Sequence, residues 1–347
     1  MIRVLIVDDS VVVCRVLQRQ LADSPEIEVV GTAPDPYVAR EKILKLKPDV
    51  LTLDIEMPRM DGLTFLRKLM SHYPLPVIVI SSVAQKGSQN AIEALRLGAV
   101  DILPKPSGGP EGLQALGPAL VRLIKAAAAS RVAQLQAQVR PARRPVADGY
   151  SFAPGRIVVI GASTGGTLAI EAVLQSFPVH APATLLIQHM PAQFTPGFAD
   201  GLDHRCAVKV REARHGDELI PGLALLAPGG FHMTISRTRG GSDRIELNKE
   251  PEVHYQRPAV DITFRSAASF GRNAVGILLT GMGADGAEGL WEMRQEGART
   301  IAQDETTSVV FGMPKAAIQQ DAAQLVLPLH EIATAALRSS SLSRGAA

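Results

Sequence analysis

The chain of 347 residues is poor in cysteine, aromatic residues and net charge, and each shortage excludes a class of protein. Its two cysteines, Cys14 and Cys206, form no C-x-x-C pair, so the sequence predicts neither a disulfide framework nor a structural zinc site. Aromatic residues make up 4%, too few for a nucleic-acid reader that stacks bases on exposed rings. The formal net charge of +2 is too small to attract DNA or an acidic membrane surface in general.

Long hydrophobic runs are also missing. No apolar stretch approaches the roughly 18 residues that a membrane-spanning helix needs. The N-terminus has a short apolar run before Asp8 and Asp9, which is not typical of a signal peptide. A composition of 46% hydrophobic and 20% charged residues excludes a disordered chain. We therefore expect a folded, soluble, cytoplasmic protein.

A change in composition near residue 145 predicts two domains. Residues 139–155 contain three prolines and three arginines with a single acid, which is typical of a linker. The predicted parts are a first domain over 1–125, a helical extension and linker over 126–153, a second domain over 154–340 and a flexible tail over 341–347.

Short runs rich in Val, Ile and Leu alternate with amphipathic segments in both halves. Nearly continuous apolar runs are typical of strands buried on both faces of a parallel sheet. Five runs predict a flavodoxin-like (βα)5 first domain; they lie at 3–7, 28–33, 49–53, 76–81 and 99–103. Six more predict a second doubly wound, mostly parallel α/β domain; they lie at 156–161, 184–188, 223–227, 274–280, 298–303 and 324–328. A β-hairpin is expected over 231–247, about Gly240-Gly241.

Charged and polar side chains stand at the predicted strand ends of the first half. Asp8 and Asp9 follow the first strand and Asp54 ends the third, while Ser81 ends the fourth and Lys105 follows the fifth. Because the carboxyl ends of parallel strands open on one crevice, we expect these side chains to converge. Crowded carboxylates suit Mg²⁺, and a lysine with a hydroxyl suits a phosphoryl group, so Asp54 is expected to form an acyl phosphate. Helix capping and ordinary solvation are the alternative.

Residues 1–105 resemble the receiver domain of two-component response regulators. The resemblance implies that Asp54 is the phosphoacceptor and that Ser81 and Lys105 contact the phosphoryl group. The Mg²⁺ ligands that it implies are Asp8, Asp9, Asp54 and the backbone carbonyl of Glu56.

The segment 158–166, VVIGASTGG, has two interpretations. Gly161, Ser163 and Gly165 fit a nucleophile elbow, which lifts the serine above a sheet at a helix N-terminus. A dinucleotide-binding loop is the other, but Ser163 occupies the position of its second glycine. The next strand also ends in Gln188-His189 rather than in an acid.

A histidine and an aspartate follow two other predicted strands. His189 can take the serine proton, and Asp285, in the turn LLTGMGADG, can orient that histidine. Backbone N–H groups near Thr164 and Met282 can bind an oxyanion. Spacing alone leaves structural roles open for all of these residues, because caps, turns and satisfied core groups use the same residue types. His232 and His254 also compete for the role of the base.

The order GASTGG, QHMP, APGG, RPAVD and TGMGADG, behind a receiver and a linker, is similar to the chemotaxis protein-glutamate methylesterases. The likeness covers most of 156–330. It implies Ser163 as nucleophile, His189 as base and Asp285 as its orienting group, with a backbone N–H of Met282 in the oxyanion hole. The implied activity is phosphorylation-activated demethylation of glutamate γ-methyl esters on chemoreceptors, with deamidation of glutamines and no cofactor for the esterase reaction.

The resemblance also implies partners. A chemotaxis histidine kinase would be the phosphodonor and methyl-accepting receptors the substrate, with membrane contact only through the receptor array and no nucleic acid. The alternative is a non-enzymatic output module that docks a partner protein or a nucleotide, in which Ser163 is unreactive. A DNA-binding regulator has less support, since no helix-turn-helix candidate is found.

Overall fold

A computed structural model describes residues 1–57, 59–81, 85–105 (backbone only at 85–88), 116–132, 150–237 and 243–341. The chain divides into two compact units, Met1–Gln138 and Val139–Ala347. Among the described residues, no helix combines the length and the apolar character required to cross a membrane. Part of the predicted linker, the Gly240-Gly241 turn and the tail from 342 lie outside the described ranges.

The first unit holds a five-stranded, wholly parallel sheet in the order β2-β1-β3-β4-β5. Its strands are β1 (Ile2–Val7), β2 (Ile27–Ala33), β3 (Val50–Asp54), β4 (Val77–Ser81) and β5 (Asp101–Pro104). Its helices are α1 (Val11–Ala22), α2 (Pro36–Leu46), α3 (Gly62–His72), α4 (Gln85–Arg96) and α5 (Gly117–Ala128). Every residue of β3 and β4 is buried, as expected of central strands covered on both faces. The flavodoxin-like prediction is confirmed.

Side-chain caps fix where the helices of this unit begin. Ser10 accepts a hydrogen bond from Val13 N at the start of α1, and Asp61 accepts one from Thr64 N at the start of α3. Such caps satisfy backbone donors that a helix leaves unpaired at its first turn. The loop after β1 is therefore short and fixed, which holds Asp8 and Asp9 in place.

The second unit holds a seven-stranded, wholly parallel sheet in the order β14-β13-β12-β6-β7-β9-β8. Its strands are β6 (Ile157–Ala162), β7 (Ala183–Gln188), β8 (Lys209–Glu212), β9 (Leu223–Leu226), β12 (Ala274–Leu278), β13 (Arg299–Gln303) and β14 (Leu325–Leu327). A separate antiparallel pair is formed by β10 (His232–Ser236) and β11 (Arg244–Asn248). The doubly wound second domain is confirmed, together with the hairpin strands.

Six α-helices complete the described part of this unit. They are α6 (Gly166–Leu174), α7 (Thr195–Asp203), α8 (Val260–Ala268), α9 (Ala287–Gln295), α10 (Met313–Gln319) and α11 (Leu329–Ser340). A 3₁₀ turn at Gly271–Asn273 leads into β12.

Strand order reverses at the centre of this sheet. From β6 the chain builds outward through β7 to β9 and β8, and it later returns to add β12 on the opposite side of β6. In doubly wound sheets the crevice at such a switch point is the usual binding site. The loops that follow β6, β7 and β12 all open there.

The edge strand β8 was not predicted. Three of its four residues are charged, and only Val210 is fully buried. A strand with so little apolar surface gives no hydrophobic run to detect, and its place in the sheet depends on pairing with β9.

Candidate active site and candidate phosphoacceptor pocket

Ser163 and His189 follow neighbouring, fully buried strands. β6 and β7 pair in parallel register as far as Ala162 and Gln188, and His189 N donates to Ala162 O at 3.1 Å. Both candidate residues therefore leave the sheet side by side, as the sequence predicts.

The turn that carries Ser163 requires small residues. Gly165 has φ of +77°, in the left-handed region, and a Cβ there would lie 2.2 Å from Val309 Cγ2. Gly166 N donates to Ser163 O at 2.7 Å where α6 begins. Ser163 is thus held in a tight turn at a helix N-terminus, the geometry expected of a nucleophile elbow.

His189 and Asp285 form a close, buried pair. His189 Nε2 lies 2.8 Å from Asp285 Oδ2, and the two side chains are only 5% and 2% exposed. Since Asp285 engages Nε2, Nδ1 is the ring nitrogen left for a serine proton. Ser163 Oγ and His189 share no hydrogen bond in this structure.

Asp285 is held by more than the histidine. Its carboxylate also accepts the backbone N–H groups of Val260 at 2.7 Å and Asp261 at 3.0 Å, at the start of α8. Burial alone would raise the pKa of Asp285, but His189 and these N–H donors outweigh it and hold the pKa below its ordinary value. The residue is therefore suited to stay ionised beside an imidazolium.

Neither competing histidine is hydrogen-bonded to Asp285. His232 is buried with Nδ1 accepting from Ala259 N at 3.3 Å and Nε2 3.0 Å from Pro251 O, so both ring nitrogens have backbone partners. His254 Nε2 lies 3.2 Å from Asp261 Oδ2. Of the three histidines, His189 is the one paired with Asp285.

The predicted oxyanion donors flank Ser163. Ser163 N donates to Thr280 O at 3.0 Å, so the serine's own N–H is already used. A Cβ on Gly281 would lie 2.8 Å from Ser163 Cβ, which shows how closely the backbone at Gly281, the residue before Met282, passes the serine. Thr164 is buried, whereas Met282 is 40% exposed, and no described residue accepts a hydrogen bond from Met282 N.

Two polar residues outside the predicted catalytic set also build the site. The Gln188 amide, 3% exposed, donates from Nε2 to Ser163 O at 2.9 Å and to His189 O at 3.1 Å. Thr280 Oγ1 donates to Thr164 O at 3.0 Å and accepts from Val310 N at 3.0 Å. The only sequence signal for either is a polar side chain near the end of a buried strand: Gln188 is the last residue of β7, and Thr280 lies two residues beyond β12.

In the first unit, the strand-end acids do converge. Asp8, Asp9 and Asp54 each present a carboxylate oxygen within 4.8 Å of the others. Lys105 Nζ lies 2.7 Å from Asp54 Oδ2 and 3.0 Å from Asp8 Oδ2. Three carboxylates against one ammonium leave uncompensated negative charge, so the donor set fits a hard divalent cation such as Mg²⁺.

Burial and charge act in opposite directions in this pocket. Burial raises the pKa of Asp54, and Lys105 opposes that rise. Burial alone would lower the pKa of Lys105, but Asp54 and Asp8 outweigh it and raise the pKa. Ser81, wholly buried, accepts from Lys105 N through its carbonyl at 2.7 Å, and Glu56 N donates to Asp54 Oδ1 at 3.2 Å.

Family models match both units. The response regulator receiver domain matches residues 4–116, and the CheB methylesterase domain matches residues 158–336. Together with the two sheets and the strand-end sites, these matches define a response regulator whose output domain is of the methylesterase class.

Full-length relatives extend the match to nearly the whole chain. The chain is 48% identical to protein-glutamate methylesterase/protein-glutamine glutaminase 2 of Syntrophus aciditrophicus, over 97% of this chain and 98% of that protein. It is also 48% identical to enzyme 1 of the same name from Pseudomonas savastanoi, with coverage of 97% and 98%. The crystal structure of the Thermotoga maritima CheB methylesterase catalytic domain matches with a TM-score of 0.52 and 37% identity, over 54% of this chain and 99% of that one. The chain belongs to the CheB methylesterase family.

Proposed function

We propose that this protein is a phosphorylation-activated protein-glutamate methylesterase and protein-glutamine glutaminase that acts on methyl-accepting chemoreceptors in chemotactic adaptation. Membership of the family supports the reaction class. The observation that carries the assignment of the site is the 2.8 Å His189–Asp285 pair, which stands at the end of β7 directly beside the Ser163 turn.

In the proposed reaction Ser163 Oγ attacks the γ-carbonyl carbon of a methyl-glutamate side chain while His189 takes its proton. The C–O bond to the methoxy group then breaks, and His189 returns the proton, so methanol leaves and an acyl-enzyme remains. Water attacks the acyl-enzyme by the same base, and a glutamate carboxylate is released with free Ser163. With glutamine as substrate, ammonia leaves in place of methanol.

Asp285 and two backbone groups support these steps. Asp285 stabilises the imidazolium formed on His189 when it takes the proton. The N–H groups of Thr164 and Met282 would stabilise the negative oxygen of the tetrahedral intermediate, since the N–H of Ser163 is engaged by Thr280 O.

Control is proposed to come from Asp54, with a chemotaxis histidine kinase as the phosphodonor. Asp8, Asp9, Asp54 and the backbone carbonyl of Glu56 would hold Mg²⁺, which when bound neutralises charge on the transferred phosphoryl group. Lys105, already 2.7 Å from Asp54, and the buried Ser81 hydroxyl would contact the phosphoryl oxygens.

The test is methanol release from methylated receptor membranes by wild-type protein and Ser163→Ala. We expect release by the wild type only. Ser176→Ala, at a serine outside the site, is the matched control and should match the wild type. If Ser163→Ala releases methanol as fast as the wild type, the assignment is wrong and the non-enzymatic output module becomes the better interpretation.

A further inference from the structure

A second buried carboxylate lies behind Asp285, and the mechanism above does not use it. Asp261 is fully buried, in the first turn of α8. One oxygen of Asp261, one of Asp285 and a ring nitrogen of His254 all lie within 4.8 Å of one another. A buried charge with no assigned role, so close to the group that orients the base, requires an explanation.

Each of the two carboxylates accepts backbone hydrogen bonds at the start of the helix that the other precedes or begins. Asp285, just before α9, accepts the N–H groups of Val260 and Asp261 at the start of α8. In return, Asp261 Oδ1 accepts from Gly289 N, in the first turn of α9, at 2.7 Å. Because each carboxylate is bonded to the other's element, their separation is fixed by two helix termini, where the helix dipoles also favour negative charge.

His254 is the side-chain partner of Asp261, with its Nε2 3.2 Å from Asp261 Oδ2. Two other ionisable side chains in this region already have hydrogen-bond partners. Arg265 is bound to Glu292 and Glu288 at 2.8 and 2.6 Å. Both ring nitrogens of His232 have backbone partners. Burial raises the pKa of Asp261 to about 6 and Asp285 adds to the rise, while Gly289 N–H, Arg265 and His254 oppose it.

His254 reaches Asp261 from a strained turn. Val253 and Gln256 exchange backbone hydrogen bonds of 3.1 and 2.9 Å, which leaves His254 and Tyr255 as a two-residue turn. Their φ angles are +53° and +60°, a left-handed pair without glycine. A left-handed conformation at residues other than glycine persists only where surrounding contacts stabilise it. The His254–Asp261 contact is one of these contacts.

We propose that Asp261 is a positioning residue for the esterase reaction, whose buried charge, held by His254, supports the Asp285–His189 pair. The inference rests on the proposed function. A negative charge at this place stabilises the imidazolium formed when His189 takes the serine proton.

Protonation of Asp261 also adds a step to the pH dependence. Because burial raises the pKa of Asp261 to about 6, the carboxylate is ionised above that pH and takes a proton as the pH falls through it. Protonation removes the buried negative charge, so the acid limb of the pH profile should include a step that depends on Asp261.

The test compares kcat/KM for methanol release between pH 5 and 9 in wild-type protein, Asp261→Asn, His254→Gln and Asp203→Asn. Asp203 is the matched control, because its carboxylate also accepts a backbone N–H, from Val210 at 2.8 Å, but contacts no residue of the site. Thermal unfolding of each variant verifies that it is folded.

In Asp261→Asn we expect the plateau to fall about tenfold, the equivalent of one pKa unit. KM should change little, because Asp261 does not touch the substrate, and the acid limb should lose the step that depends on Asp261. His254→Gln keeps the carboxylate, so its plateau should exceed that of Asp261→Asn, while its acid limb moves to higher pH because His254 no longer opposes the rise in the pKa of Asp261. Asp203→Asn should follow the wild type. An Asp261→Asn profile with the wild-type slope and midpoint overturns the inference, whatever its absolute rate.

Labelling of Ser163 by a fluorophosphonate over the same pH range separates this inference from the proposed function. If the wild type releases no more methanol than Ser163→Ala, but its labelling still depends on Asp261 as described, the substrate is wrong and the inference stands. If Ser163 is not labelled at any pH, both are overturned.

Discussion

At the scale of single residues, the two buried carboxylates of the second unit have pKa values displaced in opposite directions. His189 and two backbone N–H groups hold the pKa of Asp285 low, whereas burial raises that of Asp261 to about 6. Two carboxylates whose pKa values are shifted in opposite directions can play different roles although they are the same functional group.

The raised pKa of Asp261 predicts how stability depends on pH. Because the folded-state pKa is about 6 and the ordinary value is 3.8, the stabilisation from its protonation is complete below pH 3.8 and is lost as the pH rises through 6. The Asp261→Asn variant has no carboxyl group at this position, so its stability does not fall in this way as the pH rises. Its Tm relative to the wild type should therefore rise between pH 4 and 6 and then level off, as measured by calorimetry. A difference in Tm that does not vary with pH would contradict the assignment.

Gln188 offers a second prediction at this scale. Gln188→Met keeps the length of the side chain but leaves the carbonyls of Ser163 and His189 without their amide donor. We expect a loss of about 2 kcal/mol, or roughly 4–8 °C in Tm, and a fall of about tenfold or more in kcat as the two residues lose their relative position. Gln175→Met, which removes only a bond to Glu171, is the control. Equal effects of the two variants would show that the bridge has no special role.

At the scale of elements, the turn between β6 and α6 is the most constrained part of the site. Gly165→Ala would place a Cβ in contact with Val309, whereas Gly216→Ala, at a similar φ of +87°, would meet nothing within 4 Å. Both variants bear the backbone strain, so their difference isolates the clash, about 1–3 kcal/mol in unfolding free energy. Chemical denaturation measures it, and methanol release should fall only in Gly165→Ala. Equal stability of the two would mean that the turn can relax.

The elements also show what a sequence can predict. β6 and β7 are wholly buried and mostly apolar, so their place in the chain and the residues that follow them could be predicted. The charged edge strand β8 has no such pattern. The proximity of Asp261 to Asp285 depends on how α8 packs against α9, and no local spacing encodes that packing. Gln188 stands out in the sequence only as the polar last residue of a strand, because the two carbonyls it bonds are defined by tertiary structure.

At the scale of the whole molecule, the receiver and the esterase unit are expected to be coupled through Asp54. Methanol release by the wild type should rise about tenfold with Mg²⁺ and a small phosphodonor, within the usual range of coupling between sites. Asp54→Asn should not respond, and removal of the metal with EDTA should abolish the response of the wild type. Asp49→Asn, at a carboxylate that accepts from Arg3 N at 2.8 Å, is the control. A phosphodonor response in Asp54→Asn would contradict phosphorylation at this residue.

The exchange of bonds between Asp261 and Asp285 has an evolutionary consequence. The Ser163 side chain makes no hydrogen bond within the described part of the chain, whereas Asp285 caps the start of α8 as well as orienting a base. A lineage that abandons the chemistry but keeps the domain as a scaffold should therefore lose the serine first and the aspartate last. An aspartate at the position of Asp285 is thus weak evidence of activity in a distant homologue. The residue at the position of Ser163 is the better indicator.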